Sequence, residues 1–186
     1  EPLHSLLVGQ DQFFEGDILI GAGSSNTVVG CDAGSLGGLM GTHRVAVGIE
    51  AGKSDQSSYA TAVGRKAGRS GQGDFAVAVG SEAATATQGF AGVAIGQEAG
   101  RIEQNAYGIS IGSSAGRNSQ GSYSIAMGRL AGREQHDRTV ILNASGSLLN
   151  SQQDGGFYVS PVRNDSTTLS NVMLYNTSTQ EVVTSN

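Results

Sequence analysis

Two prolines, one cysteine and no tryptophan occur in 186 residues, and aromatic residues make up only 5%. With so little proline and no three-residue period, the 29 glycines do not describe collagen. A lone Cys31 excludes an internal disulfide and is expected to be a small buried thiol. No run of about 18 apolar residues is present, so no membrane insertion is expected. The net charge of −5 gives no electrostatic support for binding nucleic acid. His4, His43 and His136 stand far apart, so a metal site would need a symmetry axis to gather copies of His43 or His136. No nucleophile elbow, zinc-protease helix motif or phosphate loop occurs, and no calcium-binding nonapeptide repeat. Carboxylates do not recur in pairs on neighbouring units, and a threonine-rich ATAT occurs once, at 84–87. The expectation is a protein that is not an enzyme and has no cofactor and no metal.

What is present is a repeat. The words RVAVGIEAG, YATAVGRKAG, FAVAVGSEAA, GVAIGQEAG, GISIGSSAG and SIAMGRLAG end their first half on Gly48, Gly64, Gly80, Gly96, Gly112 and Gly128. That is a period of 16 over six copies. If the closing glycine is position 16, positions 13 and 15 carry mainly Val and Ile, and position 11 is mostly aromatic: Tyr59, Phe75, Tyr107 and Tyr123. Positions 12 and 14 between them are small. Alternation at period two with β-branched residues predicts a strand. The G-x-x-A-G that follows predicts a turn, since glycine permits positive φ and close backbone approach. Two short strands and two turns fill one such unit, which is then one coil of a parallel β-solenoid, or β-roll, in an all-β chain. A helix is excluded by the recurrent glycine and the wrong apolar period.

The general rule that large apolar side chains point inward puts positions 11, 13 and 15 inside the coil. Positions 12 and 14 then face out. Eleven of those twelve positions are Ala, Gly or Ser, a flat strip suited to close approach by another sheet. Each coil would bury about three apolar side chains at roughly 1.5–3 kcal/mol each, against about 1–2 kcal/mol for fixing each backbone residue. So thin a roll is expected to need copies of itself. The strip Ala46, Ala62, Ala78, Ala94, Ser110 and Ala126 is the expected interface of a cyclic homo-oligomer, which the resemblance given below implies to be a homotrimer.

Stacking also makes ladders at about 4.8 Å per step. Position 5 gives a basic row, Lys53, Arg69, Arg101, Arg117 and Arg133, broken by Thr85. Position 8 gives a glutamine row, Gln56, Gln72, Gln88, Gln104 and Gln120. Both are expected on the surface, either facing an anionic glycan or pairing between chains, or simply as a solvated face. Glu50, Glu82 and Glu98, with Asp55 and Glu103, are positioned to compensate the basic row.

The ends are less regular. Residues 1–42 carry weakened repeats, at Ile18–Ile20 and Thr27–Gly30, and bulky Leu6, Leu7, Phe13 and Phe14; they are expected to form an N-terminal cap or junction. The six-coil roll is expected over 43–136. Residues 137–186 are expected to form an irregular short-strand β stem, intertwined with its counterparts, with Arg138–Asn143 as a strand leaving the roll. A start at Glu1 with no methionine is expected of a fragment or a processed product. Sequons at Asn143, Asn164 and Asn176 are of the kind that an Asn/Ser/Thr-rich segment produces by chance.

FAVAVGSEAATATQG and GVAIGQEAG resemble the head repeats of trimeric autotransporter adhesins, the Hep/Hag type. The resemblance covers 43–134 and implies a left-handed parallel β-roll associated as a trimer; the unit here is longer than the adhesin one. RTVILNASGSLLN, GFYVSPVRN and LYNTSTQEVVTS resemble terminal segments of viral fibre proteins, in phages and large algal or amoebal viruses. That resemblance implies a self-cleaving chaperone that follows this segment, with Asn186 the expected mature end left by its cleavage. Such a domain has a physical use, because a one-coil slip between chains buries nearly the same surface. The expected function is a homotrimeric fibre or spike segment on a virion surface, extracellular, attaching to a host through a cell-surface glycan or protein receptor. The alternative is a bacterial cell-surface adhesin head that binds host matrix or cells.

Overall fold

The computed structural model describes residues 17–20, 26–34, 42–162 and 173–184. Leu6, Leu7, Phe13, Phe14, His4 and Asn164 lie outside them. The chain runs through β1 (Asp17–Ile20), β2 (Thr27–Gly30), β3 (Val45–Val47), β4 (Ser54–Gln56), β5 (Thr61–Val63) and β6 (Ser70–Gln72). It continues with β7 (Val77–Val79), β8 (Ala86–Gln88), β9 (Val93–Ile95), β10 (Ile102–Gln104), β11 (Ile109–Ile111) and β12 (Ser119–Gln120). The last are β13 (Ile125–Met127), β14 (Glu134–Gln135), β15 (Val140–Asn143), β16 (Phe157–Ser160), β17 (Met173–Asn176) and β18 (Glu181–Thr184). Among the described residues there is no helix.

Alternate strands fall into two parallel sheets. Ten strands, β1-β2-β3-β5-β7-β9-β11-β13-β15-β16, form one, and six, β14-β12-β10-β8-β6-β4, form the other. This is a parallel β-solenoid. Ala46 pairs with Ala62, Ala62 with Ala78 and Ala78 with Ala94, so each coil advances by one repeat unit of the sequence. Within the large sheet only β1 runs antiparallel to its neighbour, folding back on β2 and occupying its open edge. β17 and β18 form a separate antiparallel hairpin.

The closing glycine shows why the period is strict. Gly48, Gly64 and Gly80 have φ of +127° to +129°. A Cβ on Gly80 would lie 2.6 Å from the carbonyl oxygen of Gly96 in the next coil. The corner is therefore closed to side chains on two counts, conformation and space.

The faces of the large sheet are the reverse of those expected. Ala46, Ala62, Ala78, Ala94, Ser110 and Ala126 are fully buried inside their own chain. Val45, Val47 and their equivalents face outward and are only half-buried, and Ile95 and Met127 are exposed. The small strip is thus the core of the roll, not a surface that meets another chain. The reason is width. A Cβ placed on Gly68, Gly100 or Gly132 in the adjoining turn would come within 3.2 Å of the alanine methyl of the same coil. In the regular coils two very short strands leave room at this position for nothing larger than Ala or Ser, while Val28 and Ile141 take it only in the end coils. The rule that bulky residues go inside fails where the interior has no volume to hold them.

The glutamine row is displaced for the same reason. Gln56, Gln72, Gln88, Gln104 and Gln120 are at most 1% exposed, so they are not a surface ladder. Each reaches from the small sheet across the interior to the large one. Its Nε2 donates to the position-13 carbonyl of the preceding coil, for example Thr61 from Gln72 at 2.8 Å and Val93 from Gln104 at 2.8 Å. It also donates to a position-12 carbonyl, such as Gly108 from Gln104 at 3.0 Å. An unbranched amide is long enough to span the gap and polar enough to pair these buried oxygens. From Gln88 onward the amides also bond one another: Gln88 donates to Gln104 at 2.9 Å and Gln104 to Gln120 at 2.8 Å. Such a row is the polar counterpart of a hydrophobic core.

The solenoid continues past the last regular unit. β15 does not leave the roll; it pairs in parallel with β13 through a coil that is one residue short, Ala126 against Ile141. β16 adds a further parallel strand, Ile141 against Tyr158. Here the core enlarges, because Ile141 is fully buried and packs with Leu149 and Tyr158. The edge of β14 is met by side chains: Asn150 Oδ1 accepts from Glu134 N at 3.2 Å and Ser151 Oγ from His136 N at 2.8 Å. An apolar plug and side-chain acceptors thus finish this end, as terminal units of arrays require. At the other end Arg44, the one large residue at position 12, is buried, and burial lowers its pKa. Cys31, expected to be buried, is exposed in a turn after β2.

Candidate functional site

With the alanines and glutamines inside, the features left on the outside are a basic row, an apolar sheet face and a row of aromatic rings.

The basic row is on the surface and is largely paired within the chain. Lys53 Nζ lies 3.0 Å from Asp32 and 3.8 Å from Glu50. Arg69 Nε lies 2.7 Å from Glu50 Oε2, and Arg101 Nε lies 3.3 Å from Glu82 Oε2. Arg117 pairs with Glu98 in the same way. Each of these arginines reaches the position-2 carboxylate of the coil before it, so the row ties successive coils. The hydrogen bond from Arg69 holds the Glu50 carboxyl below its usual range, and that from Arg65 does the same for Glu82. Thr85, where the row is broken, donates instead to the Glu82 carbonyl at 2.8 Å. Arg133, at the end of the row, has a buried Nε with no hydrogen-bond partner among the described residues. Asp55 and Glu103 stand exposed on the outer side of the second sheet, away from this pairing.

The outer face of the large sheet is apolar along its length but for Thr27 on β2 and Thr61 on β5. Positions 13 and 15 present Val45 and Val47 on β3, Val77 and Val79 on β7, Ile109 and Ile111 on β11, and Ile125 and Met127 on β13. Leu142 and Val159 extend it and, with Met127 and Pro161, line a shallow cleft of about 350 Å³. No element among the described residues covers this face.

One edge of the face carries the rings. His43, Tyr59, Phe75, Tyr107 and Tyr123 all have φ between +56° and +60°, a left-handed corner just before each strand. His43 stacks on Tyr59 and Tyr59 on Phe75, each with centroids 5.0 Å apart and planes within 10°. Tyr107 stacks on Tyr123 at 4.9 Å. The gap left by Ala91 at position 11 is filled by Phe90, one residue earlier, edge-on to Phe75 at 5.6 Å and to Tyr107 at 5.4 Å. Phe90 escapes a strict reading of the period; the only signal in the sequence is an aromatic one place early where the expected one is missing. Gln135 escapes it too. It continues the buried glutamine row, donating to Ile125 O at 2.9 Å, but sits in the coil that is one residue short.

The two described histidines serve locally: His43 in the ring row, and His136 with Nδ1 2.9 Å from Ser151 Oγ. Asn143 is buried and its amide donates to Arg129 O and Ser147 O, at 3.0 and 2.6 Å, so its sequon is not open to a glycan. Asn176 is exposed. Comparison with protein-family models, with curated proteins and with solved structures returns no match.

Proposed function

We propose that this chain is a segment of a homotrimeric structural fibre or spike that serves attachment to a host surface, without enzymatic activity. The observation that carries this reading is the uncovered apolar face of the large sheet. From β2 to β16 it spans nine strands, or about 38 Å at 4.8 Å per step. Soluble monomers rarely expose an apolar patch of more than a few hundred Å². Three such faces turned toward a common axis bury one another, as closed cyclic symmetry requires. The interface is then the Val/Ile face in place of the alanine strip, and the Hep/Hag resemblance supplies the number three. The resemblance of the tail to viral fibres favours a virion surface, and the adhesin head on a bacterial surface is the alternative. Paired as it is, the basic row is a weak candidate for glycan binding, which leaves the turns and the ends for recognition.

The native mass tests the assembly: light scattering should give three times the chain mass of 18.9 kDa. A stable monomer overturns it. Binding of the labelled protein to immobilised glycans and to cell surfaces tests attachment; saturable binding without turnover is expected. Glycan hydrolysis by the purified chain would overturn the non-enzymatic reading.

A further inference from the structure

The apolar face has two long edges, and they differ. Along the first run the rings of position 11. Three of the five ring contacts are face to face, so much of the ring faces is spent within the chain, while Tyr59, Tyr107 and Tyr123 remain exposed. A row stacked on itself offers a sugar ring little aromatic face, which argues against a carbohydrate platform. Along the second edge, just past each closing glycine, stand the position-1 residues: Ile49, Arg65, Ser81, Gln97, Ser113 and Arg129. Arg65 and Arg129 are exposed. Arg65 Nη2 donates to Glu82 at 2.6 Å and Arg129 Nη1 to Gly146 O at 2.7 Å, and a guanidinium has further N–H groups to offer.

A cyclic assembly that buries one face of each copy makes a heterologous contact. The first edge of one copy must meet the second edge of the next. With the copies level, each ring stands opposite the position-1 residue that follows its own strand. Both arginines then fall at tyrosine levels, Tyr59 with Arg65 and Tyr123 with Arg129. The phenylalanine levels, at Phe75 and Phe90, fall opposite uncharged Ser81 and Gln97.

A slip of one coil leaves at most one of these two pairs. In one direction Arg65 meets Phe75, and Arg129 meets Arg138, which takes the ring position in the next coil. In the other direction Arg65 meets the His43 ring, and only Arg129 keeps a tyrosine, Tyr107. A repetitive apolar face cannot choose between registers, because every coil looks alike to it. The rim is not repetitive and does choose.

Resting on the trimer reading above, we propose that a second copy of this chain docks along each edge in level register. Tyr59 and Tyr123 hydroxyls accept from Arg65 and Arg129 of the next copy, and this rim sets the register of the assembly. Paired cysteines on the full chain, with Cys31→Ser as background, test it. Tyr107→Cys with Ser113→Cys is the level pair. Tyr107→Cys with Gln97→Cys and Tyr107→Cys with Arg129→Cys are the slipped pairs. Residues 107 and 113 of one chain lie at opposite ends of β11, about 20 Å apart if extended, too far for a disulfide within the chain. Mild oxidation should convert the level pair to a covalent three-chain species on a non-reducing gel. The slipped pairs should yield roughly five-fold less, since one coil step takes the Cα atoms out of disulfide range. Equal yields from slipped and level pairs overturn the proposal, as does absence of any cross-link while the native mass remains three chains. A native mass of one chain overturns the trimer reading itself, so the two failures are told apart.

Discussion

At the residue scale the roll rests on a few positions that admit one side chain. Gly80 is one, because a Cβ there meets Gly96 at 2.6 Å on a backbone with φ of +129°. Gly80→Ala should lower the unfolding free energy by about 2–4 kcal/mol, from backbone strain and overpacking together. A urea titration monitored by circular dichroism checks it. Gln72 is another. Replacing it with leucine keeps the bulk but leaves the Thr61 carbonyl dry, at a cost of about 1–3 kcal/mol in the same titration. The carboxylates of Glu50 and Glu82 give a pH signature. Their folded pKa values lie below the unfolded ones, so their contribution is present above the ordinary carboxylate range. It is lost as pH falls through the folded values. Melting temperature should therefore drop on acidification below about pH 4.5. The drop should be smaller in a Glu50→Gln, Glu82→Gln double variant and should weaken in high salt, since both side chains are partly exposed.

At the element scale each short strand of the large sheet has a closed side and an open side. On β7, Ala78 is fully buried while Val77 and Val79 on either side are not. Ala78→Leu should disrupt the fold, because the interior admits only a methyl group at that position, and circular dichroism should show a partly unfolded chain. Val79→Asp should leave the strand content intact and shift the native mass toward one chain. If instead Val79→Asp unfolds the protein and Ala78→Leu dissociates it intact, the faces have been assigned backwards. Strand placement was legible from the period-two alternation and the glycine spacing: β3, β5, β7, β9, β11 and β13 stand where VAVG and its relatives predict. Which side of each strand faces in was not legible. The alternation fixes that the two sides differ, but the choice between them depends on the gap to the opposite sheet. No property of Val or Ala alone contains that gap. Gln104 shows the same limit, since a glutamine once per repeat reads equally as a wet surface row or as a dry bridge between sheets.

At the scale of the whole molecule the coil is the unit of addition. Excising residues 81–96, one coil from closing glycine to closing glycine, should leave a folded protein one step shorter. Its far-ultraviolet spectrum per residue should be unchanged. Excising 82–96, one residue fewer, should break the register of every ladder beyond the cut and lower the melting temperature sharply. The chain itself tolerates a short coil only at its end, between Ala126 and Ile141, where Ile141, Leu149 and Tyr158 build a different core.

The sequence by itself determined that this is an all-β solenoid and how far each coil advances, because a steric demand for glycine at one corner recurs once in every repeat unit. It also offered the position-2 and position-7 carboxylates as partners for the basic row, and the structure pairs those of position 2. Only the tertiary structure decided what is inside. The separation of the two sheets admits a methyl group and a bridging amide, and that single dimension sends Ala78 and Gln72 inward and Val77 and Val79 out. The structure also brings Phe90 into line with Phe75 and Tyr107, an alignment the regular period does not contain.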